Sequence, residues 1–147
     1  MGNPLLGRQQ GSILKRLSLV LGIAALPLAF SGGCLADEFV IAHPSVNLSK
    51  DDVRDVYLGE KQFAESVRLV PVDNTSVQAL FLSRVLKMSA AKYETAWIKK
   101  SFRDGLAAPS MRSGDAETVE FVRRTTGAVG YVSAAKPPAG VVAITKF

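Results

Sequence analysis

Four consecutive polar residues, Asp73-Asn74-Thr75-Ser76, form the part of this sequence whose side chains could do chemistry. They follow a β-branched, apolar run, Val67–Val72, and precede apolar residues at positions 77, 80 and 81, which is helical spacing. Such a strand–turn–helix unit presents hydroxyls and free backbone N–H groups at a helix N-terminus, an arrangement that favours an anion. The same residue types also cap helices that bind nothing. The segment therefore predicts either an anion site or a plain helix cap.

The rest of the sequence holds little that could act as a catalyst or hold a metal. The only histidine, His43, lies beside Pro44 at the end of a predicted strand, where we expect a loop or edge residue rather than a general base. There is no cysteine after residue 34, which excludes zinc sites built from Cys and His in that part of the chain. Ser/His/acid spacing, G-x-S-x-G, Walker A and G-x-G-x-x-G patterns are all missing. We therefore predict a binding domain, with no catalytic residue, metal or cofactor.

Hydrophobic periodicity predicts the elements that position the polar turn, in the order β-α-β-α-α-α-β-β. Strands are expected at residues 38–43, 67–72, 128–133 and 141–146. Helices are expected at 49–58, from the polar turn to about Lys87, at 90–102 and at 115–125, with loops at 61–65 and 105–114. This pattern is typical of a small mixed α/β sheet flanked by helices.

Helix boundaries and one buried face are predicted by particular residues. Ser49 with Asp52 three residues later has capping-box spacing, and Ser89 is placed to cap the third helix. On that third helix, Tyr93, Trp97 and Ile98 are expected to share the buried face, which makes Trp97 a core residue. Pro71 lacks an N–H, so this end of its strand should lie at a free edge or leave the ladder there.

The first 36 residues have the composition of an export signal. Arg8, Lys15 and Arg16 form a basic region, and Leu17–Phe30 is an uncharged apolar run too short to span a bilayer comfortably. Small residues precede position 37, so we place cleavage after Ala36, with no transmembrane segment in the product. The product, residues 37–147, is one domain by length and is expected to be periplasmic or secreted.

Cys34 opens an alternative to simple cleavage. Ser31-Gly32-Gly33-Cys34 has the small residues that precede the acylated cysteine of bacterial lipoproteins, although an aliphatic residue is usual at the place of Ser31. Lipidation there would tether the domain to a membrane.

The basic character of the chain comes partly from this leading segment. The full chain has 18 basic and 13 acidic residues, and three of the basic residues lie in the first 36. Residues 37–147 therefore hold 15 basic and 13 acidic residues, a net charge of only +2. The basic residues are scattered and no stripe of aromatic and basic residues occurs, so nucleic acid is not an expected partner.

Three segments, LSKDDV with DVYLG at 48–59, VPVD at 70–73 and TGAVGYV at 126–132, resemble segments of phosphate ABC-transporter substrate-binding proteins. LSKDDV at 48–53 with DVYLG at 55–59 is similar to that family's helix followed by F/Y-L-G-K. VPVD at 70–73, followed by Thr, Ser and Phe81, is similar to the family's P-V…S-G-T…F segment. TGAVGYV at 126–132 is similar to its T-P-G-A-I-G-Y-V strand. The segments come in the family's order and cover nearly all of residues 37–147. Full-length members are two-lobed clamshells, so the resemblance implies a single lobe of the periplasmic-binding-protein fold, type II.

The resemblance also implies ligand-binding residues for phosphate or a similar oxyanion. By this resemblance, Thr75 and Ser76 correspond to the family's Ser-Gly-Thr turn, and Asp73 and Asn74 lie beside them. The glycine of that turn is absent here, and Gln78 stands where relatives often have an arginine. Arg112 and Ser113, before the fourth helix, are the expected replacements. Ser45, in the loop after the first strand, completes the predicted set.

Two other functions stay open at the level of sequence. The lobe could be an envelope interaction module that meets a sensor, a transporter component or a second copy through its exposed face. It could also keep a vestigial site that binds nothing. Convergence of the polar loops 44–47, 73–76 and 109–113 would favour an anion, whereas dominance of Val46, Leu106 and Met111 there would favour a protein.

Overall fold

The computed structural model describes residues 35–147. The predicted export signal, residues 1–36, and Cys34 therefore lie outside the described residues, apart from Leu35 and Ala36. No helix in the described range is both long enough and apolar enough to cross a membrane.

Seven strands and four α-helices make up the described chain. The strands are β1 (Asp37–Ala42), β2 (Phe63–Ala64), β3 (Val67–Arg68), β4 (Val70–Asn74), β5 (Ser110–Arg112), β6 (Ala128–Ala134) and β7 (Val142–Lys146). The helices are α1 (Asp52–Tyr57), α2 (Gln78–Phe81), α3 (Ala90–Asp104) and α4 (Asp115–Arg124). A π-helical turn, Leu82–Leu86, continues α2 directly, so the two form one helical segment of nine residues.

Five strands form one mixed sheet in the order β5-β4-β6-β1-β7. β4 runs parallel to β5 and to β6, whereas β1 runs antiparallel to β6 and to β7. Because parallel strands end at the same edge of a sheet, the C-terminal ends of β4 and β5 lie together. The end of β1, at Ala42, lies at the opposite edge, since Ala42 pairs with Val129 near the start of β6.

Each face of the sheet is covered by a separate apolar core. The larger core includes Tyr57, Phe81 and Tyr131, in which the rings of Phe81 and Tyr131 stack 4.0 Å apart. The Tyr57 hydroxyl donates to the carbonyls of Val72 and Val129, at 2.9 and 3.2 Å, and so ties α1 to two strands. The smaller core lies under α4 and includes Val72 and Val122. With both faces covered, residues 35–147 have the closed cores of a unit that folds on its own.

The predicted architecture is confirmed, with three additional strands. The segment 61–65, expected to be a loop, contains β2, which pairs with β3 in a short hairpin. The single strand expected at 67–72 is divided between this hairpin and β4, because the chain leaves one sheet at Leu69 and enters the other at Val70. The loop expected at 105–114 contains β5. These strands have only two or three residues, too few for an alternating pattern to show.

Local details of α1 and β4 follow the sequence patterns. Asp52 accepts from both the N–H and the hydroxyl of Ser49, at 2.9 and 2.8 Å, which confirms the capping box. Bonds from Lys61 and Ser49 lower the pKa of Asp52 to about 2. At Pro71, β4 pairs with β6 on one side only, since β5 pairs with Val72–Asn74. The strand is therefore free on one side there, as predicted.

Helix α3 confirms its predicted start and corrects its predicted face. The Ser89 hydroxyl accepts from the Lys92 N–H, and the helix ends two residues later than expected. Tyr93 and Trp97 are buried as predicted, but Ile98 is 58% exposed and the prediction for it was wrong. Lys100 takes the buried position instead, because its long stem packs inward while its Nζ reaches Glu60 Oε1 at 2.7 Å.

Candidate functional site

The C-terminal ends of β4 and β5 bring four of the predicted residues together. The Thr75 N–H donates to the Arg112 carbonyl at 3.1 Å, which joins the end of β4 to the end of β5. A Cβ placed on Gly114 would lie 3.4 Å from the Ser76 hydroxyl, so the start of α4 approaches the start of α2 closely. Thr75, Ser76 and Ser113 are exposed, and Arg112 is half-buried. We call Thr75, Ser76, Ser113 and the first turns of α2 and α4 the strand-end site.

Asn74 fixes the geometry of this site from beneath. Its side chain is fully buried, and its Nδ2 donates to Asp115 Oδ1 at 2.7 Å and to the Tyr131 carbonyl at 2.9 Å. Its Oδ1 accepts from the Ser76 N–H at 3.0 Å. One amide therefore connects β4, β6 and the beginnings of α2 and α4. Because its bonds are already made within the protein, Asn74 supports the site rather than facing a ligand.

Asp73 is also buried beneath the site, with 3% of its surface exposed. Its carboxylate accepts from the Tyr131 hydroxyl at 2.8 Å and from the Tyr93 hydroxyl at 3.1 Å. Burial raises the pKa of Asp73 above its ordinary value of 3.8, although hydrogen bonds from Tyr131, Tyr93 and Gln78 oppose the rise. Both carboxylate oxygens have partners, so Asp73 links α3 to β6.

The predicted turn begins two residues later than the sequence suggested. Asp73 and Asn74 are the last residues of β4, and the turn is formed by residues 75–77. Polar side chains at the end of a strand resemble turn residues in a sequence, because Asp and Asn are frequent in both places. The tertiary partners Tyr131 and Asp115 hold these two residues inside the sheet.

Arg112 lies against α4 rather than over Thr75 and Ser76. Its guanidinium carbon is 4.1 Å from the centre of the Phe121 ring, its Nη2 donates to Ser110, and its Nη1 is 3.6 Å from Glu117 Oε1. Its Nε is buried and has no hydrogen-bond partner in the described structure. The structure thus brings the backbone of Arg112 to the site and places its charge on the adjacent helix face.

The helices that begin at the strand-end site lack side-chain caps. In residues 35–147, no side chain caps the backbone at Val77 before α2 or at Gly114 before α4. The first-turn N–H groups of a helix have no acceptor within the helix, so these donors remain available at the surface. Gly114 has φ of +94°, a value that favours glycine, and this lets the chain turn into α4 beside Ser76. Glu117 accepts from the Ser113 N–H at 3.1 Å.

Ser45 is the predicted site residue that the structure places elsewhere. It lies at the opposite edge of the sheet, where its hydroxyl is 2.8 Å from His43 Nδ1 and accepts from the Gly127 N–H at 3.3 Å. The prediction failed because β1 runs antiparallel to β6, so the loop after β1 and the turn after β4 emerge at different edges. The sequence does not show the direction of a strand.

Sequence reasoning missed the residues that hold the site from other elements. Asp115 lies in the first turn of α4, where an acidic residue is common without any other role, yet its Oδ1 also accepts from the Ser133 N–H at 3.1 Å. Tyr131 and Tyr93 carry the hydroxyls that hold Asp73. A tyrosine on an apolar face is a weak signal that a buried acceptor lies nearby. No group of three or more His, Cys, Asp or Glu side chains in the described range is placed to hold a metal.

The solved structures that share this fold include two proteins of phosphate transport. One is a protein from Clostridium perfringens, assigned as a phosphate ABC transporter substrate-binding protein and crystallised with bound phosphate. Its TM-score to this chain is 0.57 and the sequence identity is 17%, and the match covers 74% of this chain and 44% of that one. The other is an ABC-type phosphate transport receptor from Vibrio cholerae, with a TM-score of 0.55 and 15% identity, over 74% of this chain and 45% of that one. No protein-family model and no curated protein matches the sequence.

The chain spans less than half the length of these structures. Its five-stranded mixed sheet with flanking helices corresponds to a single lobe of the periplasmic-binding-protein fold. Both similar structures are substrate-binding or transport-receptor proteins rather than enzymes. At these identities the likeness establishes the fold, and function has to be argued from the site.

Proposed function

We propose that this chain is an exported single-lobe domain that binds phosphate or a similar oxyanion at the strand-end site, with ancestry in phosphate ABC transport. The observation that carries the proposal is the meeting of two uncapped helix starts with the exposed hydroxyls of Thr75 and Ser76. Helix N-termini favour anions through their free N–H groups and the positive end of the helix dipole. The fold shared with a phosphate-bound protein supports the same ligand class.

The donors at this site suit a small tetrahedral anion. The hydroxyls of Thr75, Ser76 and Ser113 can each donate one hydrogen bond, and the first turns of α2 and α4 add backbone N–H groups. Asn74 holds the two helix starts in register, through Ser76 on one side and Asp115 on the other. An oxyanion there would accept from both helices at once, which an apolar ligand could not.

Charge near the site is balanced, and this sets the expected affinity. Arg112 would attract an anion, but Glu117 lies 3.6 Å from its Nη1 and is itself exposed at the start of α4. The site faces water, so charge–dipole contacts are weakened compared with those in a closed cleft. We therefore expect a dissociation constant in the millimolar range, which corresponds to a binding free energy of about −4 kcal/mol. Replacing Glu117 by Gln should strengthen it several-fold by freeing Arg112 and removing a repelling charge.

A second function is favoured by one observation at the same edge. Met111 is 47% exposed on β5, an edge strand of the sheet beside the strand-end site. An exposed apolar side chain on a free edge suits a protein partner of the envelope. Against this, two of the three polar loops, 73–76 and 109–113, do converge. Of the three apolar residues that would have favoured a protein, Val46 is buried and Leu106 is only partly exposed.

Isothermal titration of phosphate into residues 37–147 tests the proposal, with sulfate as a second oxyanion and chloride at equal ionic strength as the control. A thermal-shift series in parallel detects weak binding, because a ligand that binds only the folded state raises the melting temperature. We expect saturable phosphate binding that the double variant Thr75→Ala, Ser76→Ala abolishes.

The double variant is informative because both side chains are exposed and should change stability by less than about 0.5 kcal/mol. A matched control is Ser45→Ala, which removes a hydroxyl at the opposite edge and should bind phosphate normally. The oxyanion proposal fails if neither heat nor a thermal shift appears at high millimolar phosphate. Binding that survives in the double variant would move the site elsewhere.

A further inference from the structure

Helix α3 carries a second apolar stripe on the side that faces away from the core. Its buried face is formed by Tyr93, Trp97 and Lys100. On the opposite side, Ala91, Thr95, Ile98 and Phe102 follow one another at spacings of four, three and four, which places them in one line along the helix. Phe102 is 90% exposed and Ile98 is 58% exposed. We call this line of four residues the outer stripe.

The outer stripe is bordered by lysines whose charges are not neutralised. In the described range, no carboxylate lies within 4.0 Å of Lys92 or Lys99. Lys92 and Lys99 are seven residues apart, so they project from the same flank of α3. Glu94 lies on the other flank. The helix therefore has apolar side chains facing outward, with positive charge along one side.

A shallow hollow next to the stripe extends the apolar surface. Its lining is formed by the apolar side chains of Trp97, Ile98, Phe102 and Ala108, together with Glu94 and Ser101. Ala108 comes from the segment after α3 and is exposed. The apolar surface therefore includes both the helix and the segment that follows it.

We propose that the outer stripe of α3 binds the surface of an anionic phospholipid bilayer. A helix that lies in a membrane interface has this arrangement, with apolar side chains in the acyl boundary and lysines among the headgroups. Phe102 and Ile98 would enter the boundary, while Lys92 and Lys99 would pair with lipid phosphates. Charge complementarity selects this occupant, since a layer of anionic headgroups meets Lys92 and Lys99 together with the apolar line.

The expected binding is weak and reversible. Only two large side chains protrude, and residues 37–147 carry a net charge of only +2. Each lysine near an anionic surface should contribute about a fivefold change in partition. Transfer of the Phe102 side chain from water into the acyl boundary should raise the partition coefficient about tenfold or more.

Vesicle co-sedimentation of residues 37–147 tests the proposal. Vesicles that contain phosphatidylglycerol are compared with vesicles of phosphatidylcholine alone, at low salt and at about 1 M salt, where the Debye length falls to about 3 Å. We expect binding to the phosphatidylglycerol vesicles at low salt, a large loss of binding in high salt, and little binding to phosphatidylcholine.

Two variants and two controls assign the binding to the stripe. The Phe102→Ser variant should have a partition coefficient about tenfold lower than the unchanged protein. The double variant Lys92→Gln, Lys99→Gln should have one about 25-fold lower. Phe63→Ser and Lys136→Gln change an exposed aromatic and an exposed lysine elsewhere and should leave partition unchanged. Since all these side chains lie at the surface, circular dichroism should show the same fold in each variant.

Three results would overturn the proposal. One is no binding to phosphatidylglycerol vesicles at low salt. Another is equal binding by the Phe102→Ser protein and the unchanged protein. The last is a concentration-dependent dimer that Phe102→Ser abolishes, because it would assign the stripe to a second copy of this chain.

Discussion

The start of α3 differs from the starts of α2 and α4 in whether a side chain accepts from the first-turn N–H groups. At α3, the Ser89 hydroxyl accepts from the Lys92 N–H, so the protein supplies its own cap. At α2 and α4, the N-cap residues Val77 and Gly114 make no side-chain hydrogen bond to a first-turn N–H in the described structure. The hydroxyls of Thr75, Ser76 and Ser113 nevertheless lie nearby. A capped start needs no ligand, whereas an uncapped start leaves donors for one.

The difference depends on where the nearby polar groups are directed. At the strand-end site, Asn74 turns inward to bind Asp115 and Tyr131, so it receives only the Ser76 N–H from the turn. Asp73 turns inward to Tyr131 and Tyr93. Two residues that a sequence would assign to a cap are thus used to build the sheet, and the hydroxyl residues that follow them are left at the surface.

Replacement of Asn74 by alanine should have the largest effect on stability. It removes three hydrogen bonds at a fully buried position and leaves Asp115 without one of its partners, so we expect a loss of about 3 kcal/mol. Urea denaturation followed by circular dichroism measures it. Asn47→Ala is the control, because Asn47 is exposed and its bond to Glu65 is 3.3 Å long. Equal effects of the two variants would show that Asn74 does not hold the site.

Replacement of Asp73 by asparagine should change how stability depends on pH. Burial raises the pKa of Asp73 in the folded state above 3.8, so the folded protein binds this proton more tightly than the unfolded chain. The unchanged protein should therefore gain stability as pH falls from neutrality through the raised pKa towards 3.8, and Asp73→Asn should lack this gain.

Urea denaturation at a series of pH values above 3.8 measures the Asp73 effect. Asp52 provides the contrast, since its pKa is lowered to about 2 and its contribution is lost only as pH falls from 3.8 towards that value. The interpretation of Asp73 would be contradicted by parallel pH profiles for the Asp73→Asn and unchanged proteins.

A smaller loss is expected when the cap of α3 is removed. Ser89→Ala should cost about 1 kcal/mol, the usual value of a lost N-cap, and phosphate should not restore it. Ser83→Ala is the control, because Ser83 is exposed and bonds only the Leu80 carbonyl within the same helical segment. A change of less than about 0.3 kcal/mol in Ser89→Ala would mean that α3 needs no cap and would weaken the contrast with α2 and α4.

The sequence predicted the fold better than the site because the two depend on different information. Periodicity located the four helices and the main strands, and Ser89, Trp97 and the Ser49–Asp52 box gave correct local details. Ser45 was assigned to the wrong edge because strand direction depends on pairing between distant segments. Ile98 was assigned to the core because we placed it on one helical face with Tyr93 and Trp97, although the buried face continues to Lys100.

The strand-end site shows the same limit. Thr75, Ser76, Arg112 and Ser113 were predicted together, and their backbones do meet. The sequence could not show that Arg112 would lie on Phe121 or that Asp73 would be held by two tyrosines, since those partners are between 9 and 58 residues away. Contacts at such separations have no local pattern.

Amide chemical shifts during a phosphate titration test the central claim most directly. In residues 37–147 labelled with ¹⁵N, the account predicts saturable shifts at residues 75–80 and 113–117, and none at 89–93, where Ser89 already caps the helix. Sulfate should shift the same amides. Shifts confined to other surfaces, or equal shifts at the start of α3, would contradict the claim that uncapped helix starts form an oxyanion site.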